Sequence, residues 1–114
     1  MPNYRIEQIN ELLRHELGEL FVRELTFPKD CLVTITKVDT SRDLSQSKIF
    51  ISVLPTNLIP AVQKKMTGAA SAIRRLLGKK IILRKIPNLL FFTDLSGEKV
   101  SRIDELIDKI HQEE

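Results

Sequence analysis

The sequence predicts an α+β fold, in which a single domain spanning residues 1–114 has the order α-β-β-α-β-α and a three-stranded mixed sheet with helices on one face. Two long segments, 5–25 and 58–77, place apolar residues at the spacing of an amphipathic helix. Two shorter segments between them, 31–39 and 48–54, are typical of strands, and their short connection favours an antiparallel pair. The chain is 42% hydrophobic, which is enough for one core at this length.

The first helix is predicted over residues 5–25. Polar residues occupy the side opposite its apolar stripe, as in a helix packed on a core. Pro28 follows this segment, and the pair Lys29 and Asp30 marks a turn after it. The stripe comprises Ile6, Ile9, Leu13, Leu17 and Leu20, widened by Leu12 and Phe21.

The first two strands are predicted from composition. Residues 31–39 are rich in β-branched side chains, which favour extended backbone. Residues 40–43 have the composition of a turn. Residues 48–54 are almost continuously apolar, and this run predicts a central strand.

The second helix is predicted from about Leu58 to Leu77, after a cap within residues 55–57. Gly78 is expected to end it, with Lys79 and Lys80 beside the negative end of the helix dipole. A run of small residues interrupts this helix. The spacing alone is compatible with two interpretations of that run. It either permits close packing on the sheet or forms a kink at which nucleic acid can approach the backbone. The kink residues would be Gly68, Ala69, Ala70 and Ser71.

A third extended segment is predicted over residues 81–92. Pro87 lacks an amide donor, so an edge strand with a bulge is expected. If this strand lies parallel to the second, its crossover must be right-handed. A turn at 93–97 and a short final helix complete the chain. The apolar positions of that helix are Val100, Ile103, Leu106, Ile107 and Ile110.

Charge is strongly segregated along the chain. Residues 44–93 carry nine Lys or Arg and no Asp or Glu, whereas both flanking segments are net acidic and the whole chain is only +3. A solvated surface usually mixes both signs, because opposite charges at helical spacing stabilise a helix. A segment of this length without an acid therefore favours binding to a polyanion.

The basic residues are expected to cluster where the second helix ends and the third strand begins. Most of the few aromatic residues look like core residues, so a stacking platform for bases is not favoured. Contact with phosphates, reading of nucleic-acid shape and approach to the backbone are favoured instead. Charge alone does not distinguish RNA, DNA and an anionic membrane. The predicted RNA-binding residues are Lys64, Lys65, Arg74, Arg75, Lys79, Lys80, Arg84 and Lys85.

Other classes of function receive little support. The chain lacks a phosphate-binding glycine loop, a recognisable catalytic group and the HxxxH or CxxC spacing of a metal site, so we expect neither an enzyme nor a cofactor. Cys31 is the only cysteine, which favours a reducing, intracellular setting. No apolar run could span a membrane and no signal-peptide pattern begins the chain, so a cytoplasmic location is expected.

Several ordered blocks of the sequence carry a family resemblance. The blocks are 23–25 with 28–29, 33–38, 41–44, 47–53, 73–79, 83–89 and 91–94. In this order and spacing they resemble the bacterial ribosome-binding factor A family over nearly the whole chain.

The resemblance implies a single type II KH-like domain and a non-catalytic assembly factor for the small ribosomal subunit. Such a factor binds the immature subunit through its rRNA, assists maturation of the 5′ region, supports growth in the cold and leaves with the help of a GTPase. We expect a monomer. The family's Ala-x-Gly kink falls on Ala69, Ala70 and Ser71, so here a serine replaces the glycine. The alternatives are a nucleic-acid binder outside ribosome assembly and a basic module that binds an acidic protein.

Overall fold

The computed structural model describes residues 4–83, 85–95 and 99–102. The order from the first helix to the third strand is the predicted α-β-β-α-β. The elements are α1 (Tyr4–Glu24), β1 (Leu32–Thr40), β2 (Gln46–Leu54), a 3-10 turn (Thr56–Leu58), α2 (Ile59–Lys80), β3 (Asn88–Leu95) and β4 (Lys99–Arg102).

The strands form one mixed sheet with the order β1-β2-β3-β4. β1 and β2 are antiparallel, β2 and β3 are parallel, and β4 pairs antiparallel to β3. The predicted mixed three-stranded sheet and its central β2 are therefore confirmed, and β4 extends it by a fourth strand. Because β2 and β3 are parallel, α2 and residues 81–87 must carry the chain back along the sheet between them.

The prediction for the third strand was wrong at its start and in its position. The strand begins at Asn88 and not at Ile81, and it lies between β2 and β4, so it is not an edge strand. Pro87 precedes the first paired residue, where its missing amide costs no ladder hydrogen bond. The register irregularity lies instead in the edge strand β1, between Ile35 and Lys37.

The predicted cap at Gly78 was also wrong, because α2 continues to Lys80. Ile81 has extended backbone angles, and its N–H donates to the carbonyl oxygen of Leu77 at 3.1 Å. The Ile81 side chain is buried in the core. The additional turn of helix places this side chain over the sheet, and its burial outweighs the preference of glycine for a helix end.

The predicted final helix disagrees with the structure at its first residue. Val100 lies in β4, opposite Asp94 of β3, because pairing along the edge of β3 satisfies backbone groups that would otherwise face solvent. The remaining apolar positions of that prediction, from Ile103 onward, lie outside the described residues.

The core lies between the two helices and one face of the sheet. The predicted stripe of α1 is correct at Ile9, Leu13, Leu17, Leu20 and Phe21, of which Leu13 and Leu17 are fully buried. It was wrong at Leu12, which is 37% exposed. The buried side chains of the stripe meet Ile49 and Ile51 of β2, which are also fully buried. Within the described residues, neither helix combines the length and hydropathy that crossing a bilayer requires.

Candidate nucleic-acid interface

The end of α2, residues 81–87, the start of β3 and the turn at 41–45 lie at one end of the sheet. The parallel register pairs Gln46 with Asn88, so β2 and β3 begin side by side. The N–H of Asn88 donates to the carbonyl oxygen of Ser45 at 3.0 Å and fastens the turn to β3. The basic residues at the end of α2 and Lys85 therefore lie on segments at the same end of the sheet.

We call this region the basic corner and define it by Arg75, Lys79, Lys80 and Lys85, all of which are exposed. In the described part of the chain, none of the four forms an ion pair, since the ion pairs found there all lie on α1. Their charges are therefore available to an external anion. Arg84, also predicted for this site, is outside the described residues.

Lys64 and Lys65 lie in the first half of α2, both exposed to solvent. From Lys65 to Arg75 the helix rises about 15 Å. The two lysines therefore do not belong to the basic corner, although they extend the basic surface along the same helix.

Arg74 differs from its neighbour Arg75 in what its side chain contacts. Its Nε donates to the carbonyl oxygen of Pro87 at 3.2 Å, and an Nη donates to the carbonyl oxygen of Ile86 at 2.7 Å. The guanidinium therefore holds the connection between α2 and β3 against the helix. Sequence reasoning assigned Arg74 to RNA alone, because nothing in its spacing reveals these two carbonyl acceptors.

The turn at 41–45 is held by one carboxylate, which sequence reasoning did not single out. Asp43 accepts hydrogen bonds from the hydroxyls of Ser41 and Ser45, at 2.8 and 2.7 Å, and from the backbone N–H of Ser45 at 3.1 Å. These bonds, with a smaller contribution from the charge of Lys85, lower the pKa of Asp43 from 3.8 to about 2. The turn is thus built around an anion that also faces the basic corner.

The small-residue segment of α2 lies within a single helix that continues from Ile59 to Lys80. Ala69 and Ala70 are half-buried and pack against the core, which fits the close-packing reading. Gly68 and Ser71 are exposed, and a Cβ on Gly68 would meet no atom within 4 Å. The backbone is therefore accessible here, and the kink at these four residues stays a prediction.

Among the aromatic residues whose burial the structure describes, two lie outside the core. Phe21 and Phe91 are buried, with ring centroids 6.3 Å apart, as expected. Phe50 and Phe92 are instead half-exposed neighbours on β2 and β3, with centroids 5.2 Å apart and planes inclined by 23°. The expectation that aromatic residues are mostly buried was therefore wrong for this pair. No signal in the sequence separates them from their buried neighbours, because Ile49, Phe50 and Ile51 form one apolar run and Phe92 directly follows Phe91.

Comparison with known proteins decides the family. A family model described as ribosome-binding factor A matches residues 5–107. The chain belongs to the ribosome-binding factor A family. It is 39% identical to the ribosome-binding factor A of Pseudomonas entomophila, over 96% of this chain and 89% of that protein. It is 36% identical to that of Thermomicrobium roseum, over 99% of this chain and 88% of the relative.

Solved structures show the same fold at lower identity. A crystal structure of ribosome-binding factor A from Thermus thermophilus has a TM-score of 0.63 at 20% identity and covers 77% of this chain and 93% of that one. A solution NMR structure of a Thermotoga maritima protein has a TM-score of 0.67 at 23% identity, with coverage of 87% and 95%. Members of this family are non-catalytic factors, so the prediction that the chain is not an enzyme is confirmed.

In the part of the chain that the structure describes, one cluster of metal-ligating residue types is present, on α1. The ligand atoms of His15, Glu16 and Glu19 lie within 4.8 Å of one another. His15 and Glu19 are 3.4 Å apart, and Glu19 also pairs with Arg23 at 3.4 Å. These contacts are those of a solvated helix face carrying pairs at helical spacing, and we assign no metal to them.

Proposed function

We propose that this protein binds the small ribosomal subunit through ribosomal RNA and assists the maturation of that subunit without catalysing a reaction. The observation that carries the proposal is the basic corner, four exposed cations that form no ion pair among the described residues, in a chain of the ribosome-binding factor A family. A Thermus thermophilus ribosome binding factor A model that was fitted into a cryo-EM map of a 30S complex shares this fold, with a TM-score of 0.57 over 71% of this chain.

The corner suits phosphates more than base edges. Lysine and arginine side chains that neutralise phosphates release condensed counterions, so affinity falls steeply with salt. The four residues of the basic corner give an expected slope of log K against log salt near −3.5. Phosphate contacts by Lys64 and Lys65 would make this slope steeper if the bound RNA runs along α2. The anchoring of residues 86–88 by Arg74 and Ser45 keeps Lys85 in place beside the helix end.

The mechanism we propose is a shift between RNA conformations. A protein shifts such an equilibrium only by its differential affinity for the two forms. The type II KH-like domain would hold one conformation of the rRNA while its 5′ region matures and would then leave, helped by an assembly GTPase. It would act as a cytoplasmic monomer.

Charge reversal at the corner tests the proposal. The variant carries Arg75→Glu, Lys79→Glu and Lys80→Glu, and a matched control carries Arg5→Glu, Arg23→Glu and Lys29→Glu, three exposed positions outside the basic corner with the same change in net charge. Sedimentation of a lysate then measures binding to free small subunits and to whole ribosomes.

The wild type and the control should co-migrate with free small subunits and not with whole ribosomes. The corner variant should lose at least about tenfold in affinity, since three phosphate contacts become repulsive. Unchanged binding by the corner variant would refute the phosphate contact. Co-migration with RNA that is not ribosomal would favour a general RNA-binding module over an assembly factor.

A further inference from the structure

The two faces of the sheet have different surroundings. Along β2, Ser47, Ile49, Ile51 and Val53 are buried on the side of the helices. The residues between them, Lys48, Phe50 and Ser52, are only half-buried and point to the opposite side. Both described helices pack on the first side, so we call the second side the open face.

The centre of the open face carries a row of three side chains from adjacent strands. Lys37 of β1 stands opposite Phe50 of β2, and Phe50 stands beside Phe92 of β3. The Lys37 Nζ lies 5.8 Å from the centroid of the Phe50 ring, and the two rings stack at 5.2 Å. The row therefore combines a π surface with a positive charge.

This combination matches the chemistry of an unpaired nucleotide. Exposed bases of single-stranded RNA stack on aromatic side chains, and a nearby cation pairs with the phosphate. A common RNA-binding module uses the same layout, namely a four-stranded sheet with aromatic residues on its uncovered face. Base-paired RNA has no free base faces to offer such a surface.

We propose that the open face is a second RNA site, which binds a short single-stranded segment by stacking bases on Phe50 and Phe92 and pairing a phosphate with Lys37. Lys48 contributes less, because Asp39 stands opposite it in the ladder. The inference rests on the proposed function and deepens it by naming the form of RNA that this face would take.

The segment that carries Lys85 leads directly into β3, which carries Phe92 on the open face. β3 begins at Asn88, directly after the segment that Arg74 anchors, and reaches Phe92 four residues later, about 13 Å along the strand. One RNA strand could therefore contact phosphate-binding groups at Lys85 and place its next bases on the aromatic pair. The charge of Lys37 continues the positive surface beyond the pair.

The test uses the full chain and two fluorescent RNA probes, an oligouridylate of about twelve nucleotides and a closed hairpin stem with a similar number of phosphates. Fluorescence anisotropy gives the affinities of the wild type and of the double variant Phe50→Leu with Phe92→Leu, which keeps the face apolar without the rings. Phe92→Tyr keeps a ring. Leu54→Ala is the matched control, since Leu54 is a 55% exposed apolar residue at the end of β2.

The double leucine variant should bind the oligouridylate about 10- to 100-fold more weakly and the hairpin with unchanged affinity, because stacking contributes only to the unpaired probe. Phe92→Tyr and Leu54→Ala should match the wild type. Lys37→Gln should reduce the salt slope for the oligouridylate by about 0.7.

Three results would overturn the inference. One is oligouridylate binding that the leucine substitutions leave unchanged. A second is an equal loss for both probes, which would show that the two rings do not distinguish unpaired from paired RNA. The third is an unchanged affinity for the oligouridylate with weakened sedimentation on small subunits, which would assign the face to a protein partner. Failure of the wild type to bind subunits at all would instead contradict the proposed function.

Discussion

The face of the sheet that the helices cover and the face they leave open are built from the same strands. On β2, Ile49 and Ile51 are fully buried beneath the helices, while Phe50 between them is half-exposed on the other side. All three are large apolar residues, yet only two of them belong to the core. The contrast teaches that one strand can stabilise the fold with alternate residues and offer the others to a partner.

The largest expected effect tests this division directly. Ile49→Ala should lower the free energy of unfolding by about 3–4 kcal/mol, because it leaves a cavity in a closely packed layer. Phe50→Ala should cost only about 1–2 kcal/mol, since its ring already contacts solvent. Urea unfolding followed by circular dichroism measures both. Equal losses would show that the open face is as much a part of the core as the covered one.

The sequence predicted the two helices and the central β2 because their patterns are long and local. It failed to separate the two faces of β2, since Ile49, Phe50 and Ile51 form one apolar run in which the alternation of a strand is invisible. The pair Phe91 and Phe92 presents the same difficulty: Phe91 is buried and Phe92 is not, and the sequence does not show which of the two faces the core. Which of two adjacent aromatic residues faces the helices depends on the register of β2 against β3, and register is a property of the assembled sheet.

The basic corner was predicted for a different reason. Charge is a property of composition, and the short connection between α2 and β3 predicts that Lys79 and Lys85 lie near each other. The contacts of Arg74 and Asp43 were not predictable. Arg74 reaches carbonyl groups 12 and 13 residues away, which are placed by the path of residues 81–87. Asp43 depends on the conformation of its turn, in which Leu44 has a φ of 60°.

The next largest effect separates the two neighbouring arginines. Arg74→Ala should lower the free energy of unfolding by about 1–2 kcal/mol, because two carbonyl groups lose a charged donor. Arg75→Ala should change it by less than about 0.5 kcal/mol. In RNA titrations, however, Arg75→Ala should reduce the salt slope by about 0.9. If both substitutions affect stability equally, the anchoring role of Arg74 is refuted.

A smaller change, a gain in stability, is expected from a substitution in the core between the helices and the sheet. Gln63 of α2 is 1% exposed, and among the described residues neither its Oε1 nor its Nε2 has a hydrogen-bond partner. Gln63→Met keeps the length of the side chain and removes the buried polar atoms, so stability should rise by about 1 kcal/mol. Denaturant unfolding of the wild type and the variant provides the measurement. A decrease would contradict this account of the buried amide.

The smallest effect concerns the turn at 41–45, which joins β1 and β2 at the same end of the sheet as the basic corner. Asp43 is an exposed group whose pKa is lowered to about 2 by the Ser41 and Ser45 hydrogen bonds. Because its pKa is lower in the folded chain, its stabilising contribution is complete above the ordinary value of 3.8 and is lost as the pH falls towards about 2.

An NMR titration of the Asp43 carboxyl carbon should therefore show a midpoint near 2. Ser45→Ala should move that midpoint upward, since it removes the largest cause of the shift. A midpoint near the ordinary value in the wild type would mean that the turn is open in solution, and Lys85 would then lack the fixed neighbour that the structure gives it.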